Sequence, residues 1–199
     1  MIKGLVFDFG GILTDPSTRL GAFCLDYASK QGLDSQAFRT TFLQGWSEAR
    51  VGDISMDAFW QNVASEFSQS PSRLRSEFLN YFKINEQAFN FIKSLRKRYK
   101  IAILTNIIKD LFDYLDEKYF FTKYFNSIVL SYKMRTAKPD TAMYKEAVKE
   151  LGLLADECLY VDDMKENLTP AQKIGMHTIH FKDLNSLKTE LMMFGIKTV

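Results

Sequence analysis

Short apolar runs alternate with helical patterns along most of this 199-residue chain. The apolar runs cover residues 4–9, 101–106, 127–132 and 158–163, with a further candidate at 177–181. They are too apolar for strands that expose one face to water, so they predict a parallel sheet covered on both faces. Because these strands alternate with helical patterns, the sequence predicts a doubly wound α/β fold with right-handed crossovers.

Capping signals mark several of the predicted helices. Asp140 is a candidate N-cap, and Gly152 follows the last apolar position of the same helix. Further along, Thr169 and Pro170 are predicted to be the N-cap and first residue of another helix, which would end at Gly175.

Residues 16–87 follow a different pattern. This interval contains no convincing strand, and its many aromatic residues recur at helical spacing. We therefore predict a helical domain inserted after the first strand, with an α/β core formed by residues 1–15 and 88–199. Such an insertion would lie over the carboxyl ends of the strands, where open α/β sheets bind ligands.

Composition narrows the class of protein. The chain is 46% hydrophobic and 25% charged, as in an ordinary globular protein, and its net charge of +2 is too small to indicate binding to nucleic acid or to an anionic membrane. No apolar stretch approaches the length of a transmembrane helix, and the amino terminus does not resemble a signal peptide. Cys24 and Cys158 form no paired motif, so a reduced, cytoplasmic protein is expected. The sequence leaves open whether the protein is a monomer or a homodimer.

Polar side chains stand where the predicted strands end. The set comprises Asp8, Thr105 and Asn106, Lys138 in the segment after the third strand, and the pair Asp162 and Asp163. The carboxyl ends of parallel strands meet at one edge of a sheet, so we expect these side chains to lie close together. Three carboxylates, an ammonium and a hydroxyl suit phosphoryl transfer assisted by Mg²⁺, with one aspartate as a possible nucleophile.

Four segments of the chain read, in order, VFDFGGIL, ILTN, KPDTAMYKEAVKELGL and LYVDDMKENLTPAQKIGMHTIHF. They resemble the motifs of the haloacid dehalogenase-like superfamily, in the branch whose helical cap is inserted after the first motif. The resemblance covers nearly the whole chain. It implies a Mg²⁺-dependent hydrolase that acts on small phosphorylated metabolites, such as sugar phosphates, through an aspartyl-phosphate.

The same resemblance implies roles for individual residues. Asp8 would be the nucleophile and a metal ligand, together with the backbone carbonyl of Gly10 and with Asp163; Asp162 would bind the metal directly or through water. Thr105, Asn106 and Lys138 would contact the phosphoryl group, and Lys138 would also neutralise the nucleophile. Asn167 stands where relatives carry a residue that supports the site, and Arg50 of the cap is a further candidate for substrate binding.

The chain departs from the family pattern at Gly10. Most phosphatases of the family have a second aspartate there, which protonates the leaving oxygen; a positioned acid typically contributes about 10²- to 10⁴-fold. The absence of this aspartate leaves three alternatives open. The protein could be a phosphatase for substrates with good leaving groups, a phosphatase that uses another acid such as Asp15, or a binding protein with little activity. Related sequences that also carry glycine two residues after the nucleophile include working sugar-phosphate phosphatases, so the resemblance favours a phosphatase.

A dehalogenase is the second enzymatic alternative to a phosphatase, since those relatives also lack the second aspartate. They usually carry an aromatic residue where this chain has Gly10, and the acidic pair Asp162 and Asp163 indicates a metal instead.

Overall fold

Five parallel strands form one sheet in the computed structural model, which describes residues 1–198. The strands are β1 (Gly4–Phe7), β2 (Lys100–Thr105), β3 (Ser127–Leu130), β4 (Cys158–Asp162) and β5 (His177–His180), in the spatial order β3-β2-β1-β4-β5. The predicted strands and the doubly wound α/β class are confirmed. The strand order reverses at β1, so the carboxyl end of β1 is where this class of fold binds ligands.

Helices surround the sheet and form the segment between β1 and β2. That segment contains α1 (Leu20–Gln31), α2 (Ser35–Ala49), α3 (Met56–Glu66), α4 (Pro71–Tyr81) and α5 (Glu86–Leu95). The remaining helices are α6 (Lys109–Tyr119), α7 (Ser131–Met134), α8 (Thr141–Leu151), α9 (Lys165–Lys173) and α10 (Leu184–Met193). Short 3₁₀ turns lie at Thr122–Tyr124 and Ala155–Glu157. Within residues 1–198, no helix has both the length and the apolar character that crossing a bilayer requires.

The apolar runs are continuous because both faces of the central strands are buried. On β1, Leu5 and Phe7 belong to the hydrophobic cluster on one face, whereas Val6 belongs to a second cluster on the other face. On β4, Val161 and Tyr160 divide between the two faces in the same way. The alternation follows from the two-residue period of a strand.

The helical insertion shares a hydrophobic cluster with the sheet. The cluster that contains Phe7 continues through Phe9 to aromatic residues of α1–α4, such as Phe23 and Phe78, whose rings lie 5.0 Å apart. The two connections to the insertion run antiparallel and are joined by a bridge between Thr14 and Ile84. The proposed division between a core and a cap at residues 15/16 and 87/88 stays a prediction.

The capping signals were predictive for α8 but not for α9. The Asp140 carboxylate accepts a hydrogen bond from the Ala142 N–H, and Gly152 ends α8 in the left-handed conformation. The predicted start of the next helix at Thr169 and Pro170 is wrong, because α9 begins at Lys165 and includes the proline. The packing of α9 against the sheet, through apolar side chains such as Leu168 and Ala171, outweighs the local preference of proline for a first turn.

Candidate active site

Asp8 follows the last residue of β1 and lies inside the protein. Its side chain is only 9% exposed. The parallel register pairs Phe7 with Val161, and the Asp8 N–H donates to the Val161 carbonyl at 2.9 Å, so Asp8 comes beside the end of β4. Burial raises the pKa of Asp8 to about 7, although the Lys138 ammonium opposes that rise. A buried acid with a shifted pKa at the ligand-binding edge of a sheet is typical of a functional site.

Lys138 links two of the carboxylates. Its Nζ lies 2.8 Å from Asp8 Oδ1 and 2.8 Å from Asp162 Oδ2, and its side chain is 2% exposed. Burial alone would lower the pKa of Lys138, but the two carboxylates outweigh that effect and raise it. The ammonium therefore stays charged and offsets part of the negative charge of the site.

Asn106 fixes the backbone of Lys138. The Asn106 Nδ2 donates to the Lys138 carbonyl at 2.9 Å, and the Lys138 N–H donates to Asn106 Oδ1 at 2.8 Å. Because both polar atoms of the amide are engaged, this geometry supports a positioning role. The substrate contact expected for Asn106 stays a prediction.

The Asp162 carboxylate is fully enclosed by donors from the chain itself. The Met164 N–H donates to Oδ1 at 2.7 Å, and the Asn167 Nδ2 lies 3.2 and 3.1 Å from the two oxygens. Lys138 and the Tyr160 hydroxyl both donate to Oδ2. These contacts anchor the start of α9 and hold Lys138 in place, which favours a contact of Asp162 with a metal through water over direct coordination.

Asp163 is the more accessible member of the acidic pair, with its side chain 13% exposed. Burial raises the pKa of Asp163, the Asp162 charge adds to the rise, and Arg19 opposes it. One oxygen each from Asp8, Asp162 and Asp163 lies within 4.8 Å of the others. Hard carboxylate oxygens at this spacing suit a divalent cation such as Mg²⁺, so the residues present fit such an ion.

Gly10 and Gly11 form the turn after Asp8 and Phe9, but the packing requires a glycine at only one of these two positions. Gly11 has φ +70°, and a Cβ at that position would lie 2.4 Å from Asp163 Oδ2. Gly10 is exposed, and a Cβ there would meet only Asp8 Oδ2, at 3.8 Å. Steric exclusion therefore explains the absence of a side chain at position 11 and does not explain it at position 10.

Asp8, Asp162 and Asp163 form the acidic cluster of the site. Within residues 1–198, neither Thr105 nor Arg50 makes an ion pair or a hydrogen bond with this cluster. Thr105 is buried at the end of β2, on the edge where Asp8 lies. Arg50 follows α2 and is half-buried; burial lowers its pKa, and its Nε has no hydrogen-bond partner in the described chain. The predicted substrate contacts of both residues depend on a ligand and stay predictions.

Two polar residues of the site were missed by the sequence analysis, Tyr160 and Arg19. The Tyr160 hydroxyl accepts from Lys138 Nζ at 3.0 Å and donates to Asp162. Its spacing of two from Asp162 on a strand places both side chains on one face, so the signal was present in the sequence. Arg19 contacts Asp163 from the start of the helical insertion, and no local pattern indicates that contact.

Tyr160→Phe is expected to lower the free energy of unfolding by about 1.5–3 kcal/mol, because it removes hydrogen bonds to two buried charged groups. Tyr144→Phe is the matched control. The two rings lie 5.3 Å apart, but the Tyr144 hydroxyl is buried and has no hydrogen-bond partner within residues 1–198. Its removal should leave stability unchanged or raise it. Urea unfolding of both variants measures the difference, and equal losses would contradict the role assigned to Tyr160.

Comparison with known proteins identifies the family. The family model described as "Haloacid dehalogenase-like hydrolase" matches residues 5–181. D-ribitol-5-phosphate phosphatase of Bacteroides thetaiotaomicron is 22% identical over 187 residues, which cover 89% of this chain and 91% of the relative. Phosphorylated carbohydrates phosphatase of Thermotoga maritima is 22% identical over 185 residues, which cover 90% of this chain and 84% of the relative.

A solved structure shares the fold. The crystal structure of a HAD family enzyme from Bacteroides thetaiotaomicron, in complex with magnesium and inorganic phosphate, aligns with a TM-score of 0.79 at 23% identity. The alignment covers 94% of this chain and 99% of that one. Since the family model also spans most of the sequence, the chain belongs to the haloacid dehalogenase-like hydrolase family.

Proposed function

We propose that this protein is a Mg²⁺-dependent phosphatase of small phosphorylated metabolites, with sugar phosphates as the substrate class. The observation that carries the proposal is the contact of Lys138 with both Asp8 and Asp162, beside Asp163, at the reversal point of the sheet. Relatives in the same family are phosphatases of D-ribitol 5-phosphate and of phosphorylated carbohydrates, which supports the substrate class.

Asp8 and Asp163 would hold the metal, together with the backbone carbonyl of Gly10. Asp162 would support it through water, since its oxygens already accept hydrogen bonds from the chain. When bound, Mg²⁺ supplies positive charge that stabilises the phosphoryl oxygens of the substrate.

Two contacts fix the orientation of the Asp8 carboxylate. Lys138 and the Phe9 N–H both contact Oδ1, at 2.8 and 2.7 Å, so the carboxylate is fixed in rotation and Oδ2 is left to face the substrate. In the proposed reaction an Asp8 oxygen forms a bond to phosphorus as the bond to the leaving oxygen breaks. Water then attacks the aspartyl-phosphate, which releases phosphate and regenerates the carboxylate.

No acid stands at position 10 to protonate the leaving oxygen. The Asp15 carboxylate is engaged elsewhere, because its Oδ1 accepts hydrogen bonds from the Ser17 N–H at 2.9 Å and from the Ser17 hydroxyl at 2.7 Å. The leaving oxygen would then take its proton from solvent. This favours substrates with good leaving groups, such as sugar 1-phosphates.

Gly10→Asp is expected to raise kcat/KM at least about tenfold for an alkyl phosphate with a poor leaving group, because a positioned acid contributes about 10²- to 10⁴-fold and a newly introduced one only part of that. The open space around position 10 admits the side chain. Gly10→Asn, which has the same shape without the acid, is the control and should give no gain. p-Nitrophenyl phosphate, whose leaving group needs no proton, should respond little to either change. A poor-leaving-group substrate that gains nothing from Gly10→Asp would show that position 10 does not face the leaving oxygen.

The proposed function is tested by phosphate release from a panel of sugar phosphates, sugar 1-phosphates and p-nitrophenyl phosphate, with Mg²⁺ or with EDTA. We expect turnover that requires Mg²⁺ and exceeds that of Asp8→Asn. A panel without such turnover would reject the phosphatase and favour the second candidate, a binding protein with little activity, for which Gly10 is the supporting observation. Halide release from a 2-haloacid, with no phosphate release, would instead indicate a dehalogenase.

A further inference from the structure

Arg19, at the start of the helical insertion, contacts Asp163 of the candidate active site. It is the residue immediately before α1, and its Nη2 lies 3.2 Å from Asp163 Oδ2. The Arg19 side chain is 60% exposed, whereas that of Asp163 is 13% exposed. An exposed cation therefore pairs with a carboxylate that we assign to the metal site.

The oxygen that Arg19 contacts faces the turn after Asp8. Asp163 Oδ2 is the atom that a Cβ on Gly11 would approach to 2.4 Å, and Asp163 also belongs to the acidic cluster. A divalent cation bound to Asp163 would repel a guanidinium beside it. Arg19 is therefore expected to leave Asp163 when the metal binds, unless an anion lies between the two cations.

The Lys138 ammonium is engaged by partners within the chain, and its predicted contact with the phosphoryl group stays a prediction. An ammonium group carries three donors, and in this structure they are directed to Asp8, Asp162 and the Tyr160 hydroxyl. Besides the contacts predicted for Lys138 and Thr105, a phosphoryl group that enters the site has outer oxygens to which a further donor can bind. A guanidinium suits this role because its planar array of N–H groups can donate to two phosphate oxygens at once.

We propose that Arg19 breaks its ion pair with Asp163 and binds the phosphoryl group of the substrate instead. The ion pair is then the contact that this phosphate-binding residue makes before the substrate enters. This inference rests on the proposed function. It also assigns part of the phosphate site to the helical insertion, since Arg19 precedes α1.

Two calorimetric titrations separate the release of Asp163 by Arg19 from the binding of phosphate by Arg19. The first adds Mg²⁺ to the protein, and the second adds inorganic phosphate to the Mg²⁺-loaded protein. Arg19→Gln is expected to bind Mg²⁺ as tightly as the parent or a few-fold more tightly, because a competitor for Asp163 is removed. The same variant should bind phosphate at least about tenfold more weakly, and Arg19→Lys should lie between it and the parent. Arg73→Gln is the control: Arg73 is an exposed arginine of the same insertion whose Nε pairs with Glu77 at 2.7 Å within α4, and its loss should change neither affinity.

Weaker Mg²⁺ binding in Arg19→Gln would overturn the inference, because it would show that Arg19 only positions Asp163. Unchanged phosphate affinity would also overturn it, while leaving the proposed function intact. A parent protein that binds neither Mg²⁺ nor phosphate would overturn the proposed function and this inference together. Since Arg19 is exposed, the variants should fold, and an unchanged thermal midpoint checks this.

Discussion

Replacing Asp8 by asparagine is expected to lower phosphate release by at least about a thousandfold, since removal of a catalytic nucleophile typically has an effect of this size or larger. The amide has almost the same shape as the carboxylate, but it is a poor nucleophile and carries no charge to attract a metal. Asp8 is buried and held by Lys138 and the Phe9 N–H, so no neighbouring acid can readily take its position. The measurement is kcat with saturating Mg²⁺ on the best substrate of the panel.

Asp15→Asn is the matched control, an acid-to-amide change seven residues further along the chain. Asp15 is partly exposed, and its carboxylate is engaged by Ser17. We expect its kcat to stay within a few-fold of the parent. Turnover in Asp8→Asn equal to that of the parent would reject Asp8 as the nucleophile. A large loss in Asp15→Asn would instead support Asp15 as the acid that position 10 lacks.

Lys138→Met is expected to abolish activity and to lower the free energy of unfolding by about 3–5 kcal/mol, the usual cost of removing one partner from a buried ion pair. The substitution leaves Asp8 and Asp162 facing each other inside the protein without the ammonium between them. Urea unfolding in EDTA should show the full loss. With Mg²⁺ present the loss should be smaller, because the bound cation replaces part of the missing positive charge.

Lys133→Met serves as the control for this experiment. Lys133 lies on α7 and is exposed, so its substitution should change stability by no more than about 0.5 kcal/mol. If Lys138→Met were as stable as Lys133→Met in EDTA, the carboxylates would not depend on Lys138 for their charge balance. The network that we describe around Asp162 would then be wrong.

The sequence predicted the sheet because its physical requirements are local. Strands buried on both faces need apolar residues at every position, and such runs are visible without knowledge of any partner. The ends of the strands were visible for the same reason, since each run stops at a polar residue. Asp140 and Gly152 were correctly assigned to the ends of α8 because a cap satisfies backbone groups within a few residues of itself.

Tertiary contacts overrode local signals at the start of α9. Thr169 and Pro170 form a good start signal, yet the first residue of α9 is Lys165, five residues before Pro170. The Asp162 carboxylate accepts a hydrogen bond from the Met164 N–H, and Asn167 on the first turns of α9 donates to the same carboxylate. These hydrogen bonds at the end of β4, together with apolar packing, set where the helix starts.

The sequence by itself determined the class of fold and the residues at the carboxyl edge of the sheet, because both follow from the periodicity of apolar positions and from where it ends. Only the tertiary structure decided which contacts each of those residues makes. Asn106 forms two hydrogen bonds with the Lys138 backbone, the Asp162 carboxylate accepts hydrogen bonds from the chain, and Arg19 forms an ion pair with Asp163. These contacts join side chains that are far apart in the chain, and their energies depend on distance, burial and charge. None of those quantities exists until the strands have paired and the helices have packed.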